Sequence, residues 1–273
     1  MVRALWSAAT GMVAQQNNVD TIANNLANVN TTGYKTETNE FKSLLYQTLQ
    51  TRTTTANGEN KPISAQVGLG VRNSAITSQF TQGSLLASES DTAFAINGSG
   101  FFAVRGEGGV TNYTRNGNFT WAIGVGGAIT LTTTDGNPVL NTAGNPITLP
   151  GGYVAGKVEV SADGRVMYPD ANNNLQPIAN SQIGLYQFQN PAGLEKVGDS
   201  FFQITAASGP ALNEATNGAL KKSEVRQGYL EGSNVQVADE MVNLIVAQRA
   251  YEMNSKAIQA ADEMMGQANQ LRR

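Results

Sequence analysis

Residues 151–157, GGYVAGK, match the G-x-x-x-x-G-K pattern of a phosphate-binding loop. That chemistry needs a Ser or Thr after the lysine and a helix whose first N–H groups face the phosphate. Here Val158 follows Lys157, and the continuation VEVSADG is typical of a strand. We therefore interpret the segment as a turn before a strand and not as a nucleotide site.

Two further segments carry part of a binding pattern. Residues 170–174, DANNN, begin like a calcium loop, but Leu175 occupies the position of the required glycine and Ser181 that of the bidentate glutamate. Residues 97–100, NGSG, are half of a dinucleotide fingerprint, without its third glycine or its helix. Both segments are interpreted as turns.

Adjacent carboxylates are the remaining candidates for acid–base chemistry. Asp239/Glu240 and Asp262/Glu263 are neighbours in sequence, so on a helix the two side chains of each pair diverge by ~100°. We interpret them as helix-surface charges. A glycosidase built on two carboxylates from distant parts of the chain stays open as the enzyme alternative.

The composition excludes most other active-site chemistry. The chain has 273 residues with no histidine and no cysteine. A disulfide framework, a Cys/His zinc site and a Ser-His or Cys-His nucleophile pair are therefore impossible. The sequence predicts that the protein is not an enzyme and binds no cofactor or metal.

Charge and hydropathy limit the partners. The net charge of −3 gives no basic field for nucleic acid. No apolar run reaches the ~18 residues of a membrane-spanning helix, so direct membrane insertion is not expected. No apolar signal-peptide region follows Arg3, so export, if it occurs, is expected without a cleaved signal peptide.

Both ends of the chain carry a heptad pattern, which is typical of helices that pair along an apolar seam. The N-terminal seam consists of Leu5, Met12, Val19 and Leu26, with Ala8, Ile22 and Val29 at the offset of three. The C-terminal seam consists of Leu244, Tyr251, Ile258 and Met265, with Ala247, Asn254, Ala261 and Ala268 at that offset. Ser233 and Gln236 have the spacing of a capping box before the second helix.

The outer faces of the two helices differ. The first thirty residues contain only Arg3 and Asp20 as charges, whereas the C-terminal helix carries charges away from its seam. A solvated helix normally has a charged face, so the uncharged N-terminal helix is expected to make contacts on several sides. The seam residues of both helices are predicted to be polymerisation contacts with further copies of the chain, and one antiparallel helix pair inside a monomer is the alternative.

The middle of the chain changes to short strands with turn signals. Asn116-Gly117, Asp135-Gly136 and Asp163-Gly164 are dipeptides typical of hairpins, because both residues tolerate positive φ. The sequence thus predicts an α+β fold, with coiled-coil-like N- and C-terminal helices that pair, an inserted all-β domain and an extended connecting segment. Its predicted segments are the N-terminal helix at 1–30, the connecting segment with its extended arm at 31–70, the β-rich domain at 71–211, a return connector at 212–233 and the C-terminal helix at 234–273.

Three stretches resemble one protein family. ANNLANVNTTGYK at residues 23–35 closely resembles the N-terminal signature of bacterial flagellar axial proteins, the rod and hook components. NGSGFFAV and YTRNGNF resemble motifs of that family's β domain, and the stretch from GYLEGSNVQ to AADEMM resembles its C-terminal signature. The signature residues are Asn24, Asn25, Asn28, Gly33, Tyr34 and Lys35.

The resemblance implies a structural role. The length and the segment from FKSLLYQTL to VGLGVR look most like distal-rod members, with proximal-rod and hook-type members as alternatives. Such a subunit would be exported by the type III apparatus and would polymerise helically into a hollow periplasmic driveshaft of the basal body. Its implied partners are further copies of itself, proximal-rod proteins, the hook or hook–rod junction and the surrounding bushing rings. An extracellular binding module that uses the β domain is the alternative class.

The asparagines of the N-terminal signature have two interpretations. Asn24, Asn25, Asn28 and Asn30 could hydrogen-bond across a packed helix layer and penalise wrong registers, since an unpaired buried amide costs ~1–3 kcal/mol. Alternatively they form only a cap and turn at the end of the helix. In either case Gly33 is expected to adopt the left-handed turn that ends the helix.

Overall fold

The computed structural model describes residues 2–50, 65–124, 127–170 and 174–271, and it divides into two compact units. The first, called the helical unit, takes in Met1–Ala27, Glu37–Ser78 and Gln236–Arg273. The second, called the strand unit, takes in Asn28–Thr36 and Gln79–Val235. The fold is α+β, as the sequence predicts.

The helical unit contains both long helices. They are α1 (Val2–Ala27) and α2 (Val237–Gln270), and they pack against each other. Its strands are β1 (Glu37–Ser43), β2 (Tyr46–Gln50), β3 (Ala65–Gly68) and β4 (Val71–Ser78). β1 pairs antiparallel with β4, and α1 packs on both of these strands, while β2 pairs antiparallel with β3.

The strand unit contains sixteen of the described strands. In chain order they are β5 (Leu85–Ala87), β6 (Phe94–Asn97), β7 (Phe101–Arg105), β8 (Thr111–Thr114), β9 (Phe119–Ile123), β10 (Ile129–Thr133), β11 (Thr148–Leu149), β12 (Glu159–Val160), β13 (Arg165–Pro169), β14 (Leu175–Gln182), β15 (Leu185–Gln187), β16 (Glu195–Gly198), β17 (Phe201–Gln203), β18 (Leu212–Asn213), β19 (Glu224–Gln227) and β20 (Tyr229–Glu231). The largest sheet has the order β16-β17-β8-β7-β15-β18. Three-stranded sheets β11-β10-β9 and β12-β13-β14 and the pairs β19-β6 and β20-β5 complete the described pairing.

Two clusters of buried apolar side chains form the core of the strand unit. The larger one gathers Phe94, Ile96, Phe102 and Leu131 with residues of the three-stranded sheets. The smaller one is aromatic, and Phe101 makes edge-on ring contacts with Phe80 and Phe188 in it. Edge-to-face rings add stability beyond the burial of their area.

Two of the three hairpin predictions are confirmed. Gly164 has φ +76° in the turn that joins the antiparallel strands β12 and β13. Gly136 has φ +84° in the turn after β10, where its N–H donates to the Thr133 carbonyl. Asn116-Gly117 does not form a hairpin, because β8 and β9 on either side of it pair with other strands.

The helix ends differ from the sequence prediction. α1 stops at Ala27, so Val29 lies outside the helix and in the strand unit. α2 begins at Val237, and the predicted capping box is wrong, because Ser233 Oγ instead accepts from the N–H of Val235. None of the helices in the described part of the chain combines the length and apolar character that crossing a bilayer requires.

The compact units also begin and end at other residues than the predicted segments. Residues 71–78 belong to the helical unit because β4 pairs with β1. Residues 212–233 belong to the strand unit, where β18, β19 and β20 each pair with an earlier strand. Residues 51–64, which hold most of the predicted arm, lie outside the described residues.

Candidate functional site

Most residues of the predicted seam are buried or half-buried, and α1 packs against α2. The fully buried members of the seam are Ala8, Ile22, Ala247 and Ala261. The half-buried members are Leu5, Met12, Val19, Leu26, Leu244, Ile258 and Met265. Tyr251 and Ala268 differ from these members, since both are exposed, Tyr251 to 43%.

The two helices approach closely at Gly11. A Cβ at that position would lie 2.9 Å from Nδ2 of Asn254, which is the polar residue of the C-terminal seam. The small residues of α1 therefore permit close contact between the helix axes, and that contact lies inside one chain.

A second apolar surface lies on the side of α2 that does not face α1. Val242, Val246, Met253 and Met264 are each more than half exposed. Their spacings place them on one helix face, which we call the outer stripe of α2. Sequence reasoning missed this stripe, because the charged residues beside it suggested a solvated face.

The charged residues beside the outer stripe contribute little to the stability of the helix. Arg249 and Glu252 form an ion pair of 2.8 Å, but their side chains are 72% and 53% exposed. Exposed pairs of this kind add at most about 1 kcal/mol. These charges therefore do not explain why four apolar side chains of the outer stripe are exposed.

Asn25 is the best-connected asparagine of the N-terminal signature. It is 1% exposed, and its Nδ2 donates to the Glu37 carbonyl at 2.8 Å while its Oδ1 accepts from the Glu37 N–H at 2.9 Å. Nδ2 also donates to Oε1 of Glu240 in the first turn of α2, at 3.3 Å. Burial raises the pKa of Glu240, against the opposing effect of this hydrogen bond. Asn25 thus joins the end of α1, the start of β1 and the start of α2.

The other asparagines take different positions. Asn28 accepts from Thr31 Oγ1 at 3.1 Å within the turn that follows α1. Asn24 and Asn30 are exposed. The two interpretations of the signature therefore apply to different residues, with Asn25 bridging elements and Asn28 forming the turn.

Gly33 has the positive φ that was expected, but its contacts differ. Its φ is +71°, and its N–H donates to the Glu231 carbonyl at 2.8 Å instead of closing a helix that ended six residues earlier. A Cβ there would lie 2.6 Å from the backbone nitrogen of Asn116. The glycine is therefore required by a close approach of two backbones as well as by its φ.

We expect Gly33→Ala to lower the free energy of unfolding by at least about 2 kcal/mol, since φ strain and a backbone clash add together. Gly136→Ala is the matched control, because Gly136 also has positive φ but a Cβ at that position would meet nothing within 4 Å. The control should cost about 1 kcal/mol. Urea denaturation measures both, and an equal loss in the two variants would contradict the clash.

A buried ion cluster holds the strand unit together around Glu231. Lys35 Nζ lies 2.5 Å from Oε1 of Glu231, and Arg115 NH1 lies 3.2 Å from Oε2. All three residues are at most 3% exposed. Lys35 also donates to the Thr81 carbonyl at 2.7 Å, and Gly83 donates its N–H to Glu231 Oε1 at 3.0 Å. We call Lys35, Arg115 and Glu231 the clasp.

Desolvation sets the electrostatics of the clasp. Burial lowers the pKa of Lys35 and that of Arg115, and the carboxylate of Glu231 opposes both shifts. The Arg115 guanidinium lies 5.0 Å from the centre of the Phe101 ring and donates to the Gly98 carbonyl at 2.8 Å. The two cations share the one carboxylate of Glu231, and Glu214 adds a weaker attraction for Arg115, so the charge balance of the cluster rests mainly on Glu231.

The clasp brings the three resembling stretches together. Lys35 ends the first, Arg115 lies in YTRNGNF, and Glu231 lies in GYLEGSNVQ. Sequence reasoning named Lys35 but assigned no role to Arg115 or Glu231, although both are charged residues inside motifs. In the described residues, no three acidic, His or Cys side chains are grouped as a metal site requires.

Family models match three regions of the chain. "Flagella basal body rod protein" covers residues 5–35, "Flagellar hook protein FlgE/F/G D1 domain" covers residues 95–168, and "Flagellar basal body rod FlgEFG protein C-terminal" covers residues 226–271. All three describe one class, the structural components of the flagellar rod and hook.

Curated relatives match over the full chain. The flagellar basal-body rod protein FlgG of Borreliella burgdorferi is 44% identical over 100% of both chains. That of Caulobacter vibrioides is 40% identical over 99% of this chain and 100% of the relative. The flagellar hook-basal body complex protein FlhP of Bacillus subtilis is 30% identical over 100% of both. The chain belongs to the flagellar basal-body rod protein family.

Proposed function

We propose that the protein is a structural subunit of the distal flagellar rod, which polymerises helically into a hollow driveshaft and transmits torque to the hook. Its partners would be further copies of itself, proximal-rod proteins, the hook or hook–rod junction and the surrounding bushing rings. The type III export apparatus would deliver it to the periplasmic part of the basal body without signal cleavage.

The outer stripe of α2 carries this proposal. Val242, Val246, Met253 and Met264 are exposed on a helix whose other face already packs against α1. Exposed apolar residues that share one helix face are typical of an interaction surface. The predicted seam would pair α1 with α2 in a coiled-coil manner inside each subunit, and the outer stripe would contact neighbouring copies.

The full-length relatives support a rod role over the alternatives. Relatives named as rod protein FlgG reach 44% identity across the whole chain, whereas the hook-basal body complex protein FlhP is 30% identical. An extracellular binding module would have no use for an apolar stripe on a terminal helix. A proximal-rod subunit would present the same stripe, so position in the rod distinguishes the two.

Location in purified hook–basal bodies tests the proposal. An antibody against the strand unit should label the rod, and label in its outer part is expected for a distal subunit. Label confined to the inner part would assign the chain to the proximal rod. Absence from the structure, with the protein recovered as a free monomer, would overturn the rod function.

We expect Val246→Glu to reduce incorporation into rods by at least about 100-fold, because an unpaired carboxylate buried between copies costs several kcal/mol. Val246 is 62% exposed, so the isolated subunit should fold normally. Immunoblots of purified basal bodies, normalised to the protein in whole cells, measure incorporation.

Ile123→Glu is the matched control for this change. Ile123 is an apolar residue with 79% exposure, and it lies in the strand unit instead of on α2. The control should be incorporated at close to the normal level. Normal incorporation of Val246→Glu would exclude the outer stripe as a contact between copies.

A further inference from the structure

Residues 28–36 cross the strand unit without belonging to any strand. They connect the end of α1 to the start of β1, and every one of them lies in the described part of the chain. We call this segment the strap. Neither cluster of buried apolar side chains contains a residue of the strap.

Polar contacts hold the strap in place. Lys35 binds Glu231 and the Thr81 carbonyl, and Gly33 donates its N–H to the Glu231 carbonyl. At the end of the strap, the N–H and the Oγ1 of Thr36 both lie 2.7 Å from Oδ1 of Asn234. The anchoring residues Glu231 and Asn234 come about 200 positions later in the chain. The strap, which is the first segment of the strand unit, therefore binds residues at the end of that unit's sequence.

The buried charges of the strand unit would stay paired if the strap dissociated from it. Glu231 would retain Arg115 and the Gly83 N–H as partners, so the buried carboxylate would still have an ion pair and a hydrogen bond. Lys35 would regain the hydration that it loses on burial, which is the main cause of its lowered pKa. The two apolar clusters would lose no member, because none of their side chains belongs to the strap.

From these contacts we propose that the strap opens and closes as a unit while the core of the strand unit stays folded, and that Lys35 is its latch. Release would convert nine ordered residues into a free loop whose two ends stay joined through the bonds between Asn25 and Glu37. The strap could then rearrange during assembly without unfolding of the sheets. The inference rests on the contacts of the strand unit and not on the proposed function.

Hydrogen exchange of the full chain tests the latch. In the unmodified protein, the amides of Gly33 and Thr36 should exchange at least about tenfold faster than those of Leu140 and Ile147, which are bonded within the core. Lys35→Met should accelerate the strap amides by a further tenfold or so, since two hydrogen bonds are lost, and the strap amides should stay at least about tenfold faster than the core amides. Lys157→Met, at an exposed lysine of the same unit, should change neither set.

Asn234→Ala provides a second variant, because it removes the acceptor for Thr36 and leaves the Lys35–Glu231 pair in place, although it also removes the donor to Gln79 and Thr81. It too should accelerate the strap amides and keep them at least about tenfold faster than the core amides. Equal exchange of strap and core in the unmodified protein would show that the strap opens only on global unfolding and would overturn the proposal. So would strap amides that exchange no faster in Lys35→Met than in the unmodified protein.

Discussion

Replacing Glu231 with glutamine should destabilise the strand unit by about 3–5 kcal/mol, the usual result of removing one partner from a buried ion pair. Glutamine keeps the shape of the side chain but not its charge. Lys35 and Arg115, at 3% and 2% exposure, would then be two buried cations without a carboxylate between them. Their mutual repulsion and their lost hydration both act against the folded state.

Lys35→Met should be milder than Glu231→Gln, at about 1–3 kcal/mol. The methionine side chain fills most of the volume, and Arg115 continues to neutralise Glu231 at 3.2 Å. The Thr81 carbonyl loses the Lys35 donor. If only the number of lost contacts mattered, the two variants would lose similar free energies of unfolding. A larger loss in Glu231→Gln than in Lys35→Met would therefore show that charge balance matters.

The strand unit can be followed by fluorescence. The chain has two tryptophans, Trp6 in the helical unit and Trp121, which packs against the larger apolar cluster of the strand unit. In a Trp6→Phe background, urea unfolding monitored at Trp121 reports on the strand unit. For a unit of this size the Glu231→Gln change should lower Tm by on the order of 10 °C.

Glu224→Gln serves as the control for the chemistry of the substitution. Glu224 is an exposed glutamate in β19, so its amide variant should stay within about 0.5 kcal/mol of the unmodified protein. If Glu231→Gln were no worse than this control, or if Lys35→Met were the more damaging change, the clasp would not depend on Glu231 for its balance.

Periodicity was sufficient to predict the two helices and their contact. Leu5, Met12 and Val19 recur every seven residues, and a helix must place such residues on one side. Val29 fits the same spacing but lies outside α1, because the period of a pattern does not show where a helix stops. The end is set instead by the turn in which the Asn28 carbonyl accepts from the Thr31 N–H.

The clasp could not be predicted in the same way. Arg115 and Glu231 are 116 positions apart, and each is one charged residue in a strand-and-turn segment. Local patterns indicate the type of an element but not which distant charge its side chain meets. Only the pairing of the strands brings these two motifs and the strap together.

The spacing of the outer stripe of α2 was visible in the sequence, but this face of the helix was predicted to be solvated. Val242, Val246 and Met253 have helical spacing, and they lie among charged residues that usually indicate a solvated face. What covers an apolar surface in an assembly is not encoded in the period of the helix that bears it. The exposure of the stripe in the single chain is what separates it from the seam.

Asn25→Leu should lower the stability of the helical unit by about 3 kcal/mol, because three hydrogen bonds are lost from a site that is almost fully buried. Leucine fits the volume but offers nothing to the N–H and carbonyl of Glu37. It also removes the donor to Glu240, whose charged form is already disfavoured by burial. The joint between α1, β1 and α2 should loosen, and rods should not form.

Asn28→Leu is the comparison that separates the two roles of the signature. The contact of Asn28 with Thr31 is local and partly exposed, so its replacement should cost about 1 kcal/mol and leave assembly largely intact. Thermal unfolding followed by helical circular dichroism reports on α1 and α2, and swimming in soft agar reports on assembly. Asn25→Leu cells that swim normally would show that the bridge is not needed in the rod. Equal loss in both variants would instead indicate that the turn, and not the bridge, gives the signature its role.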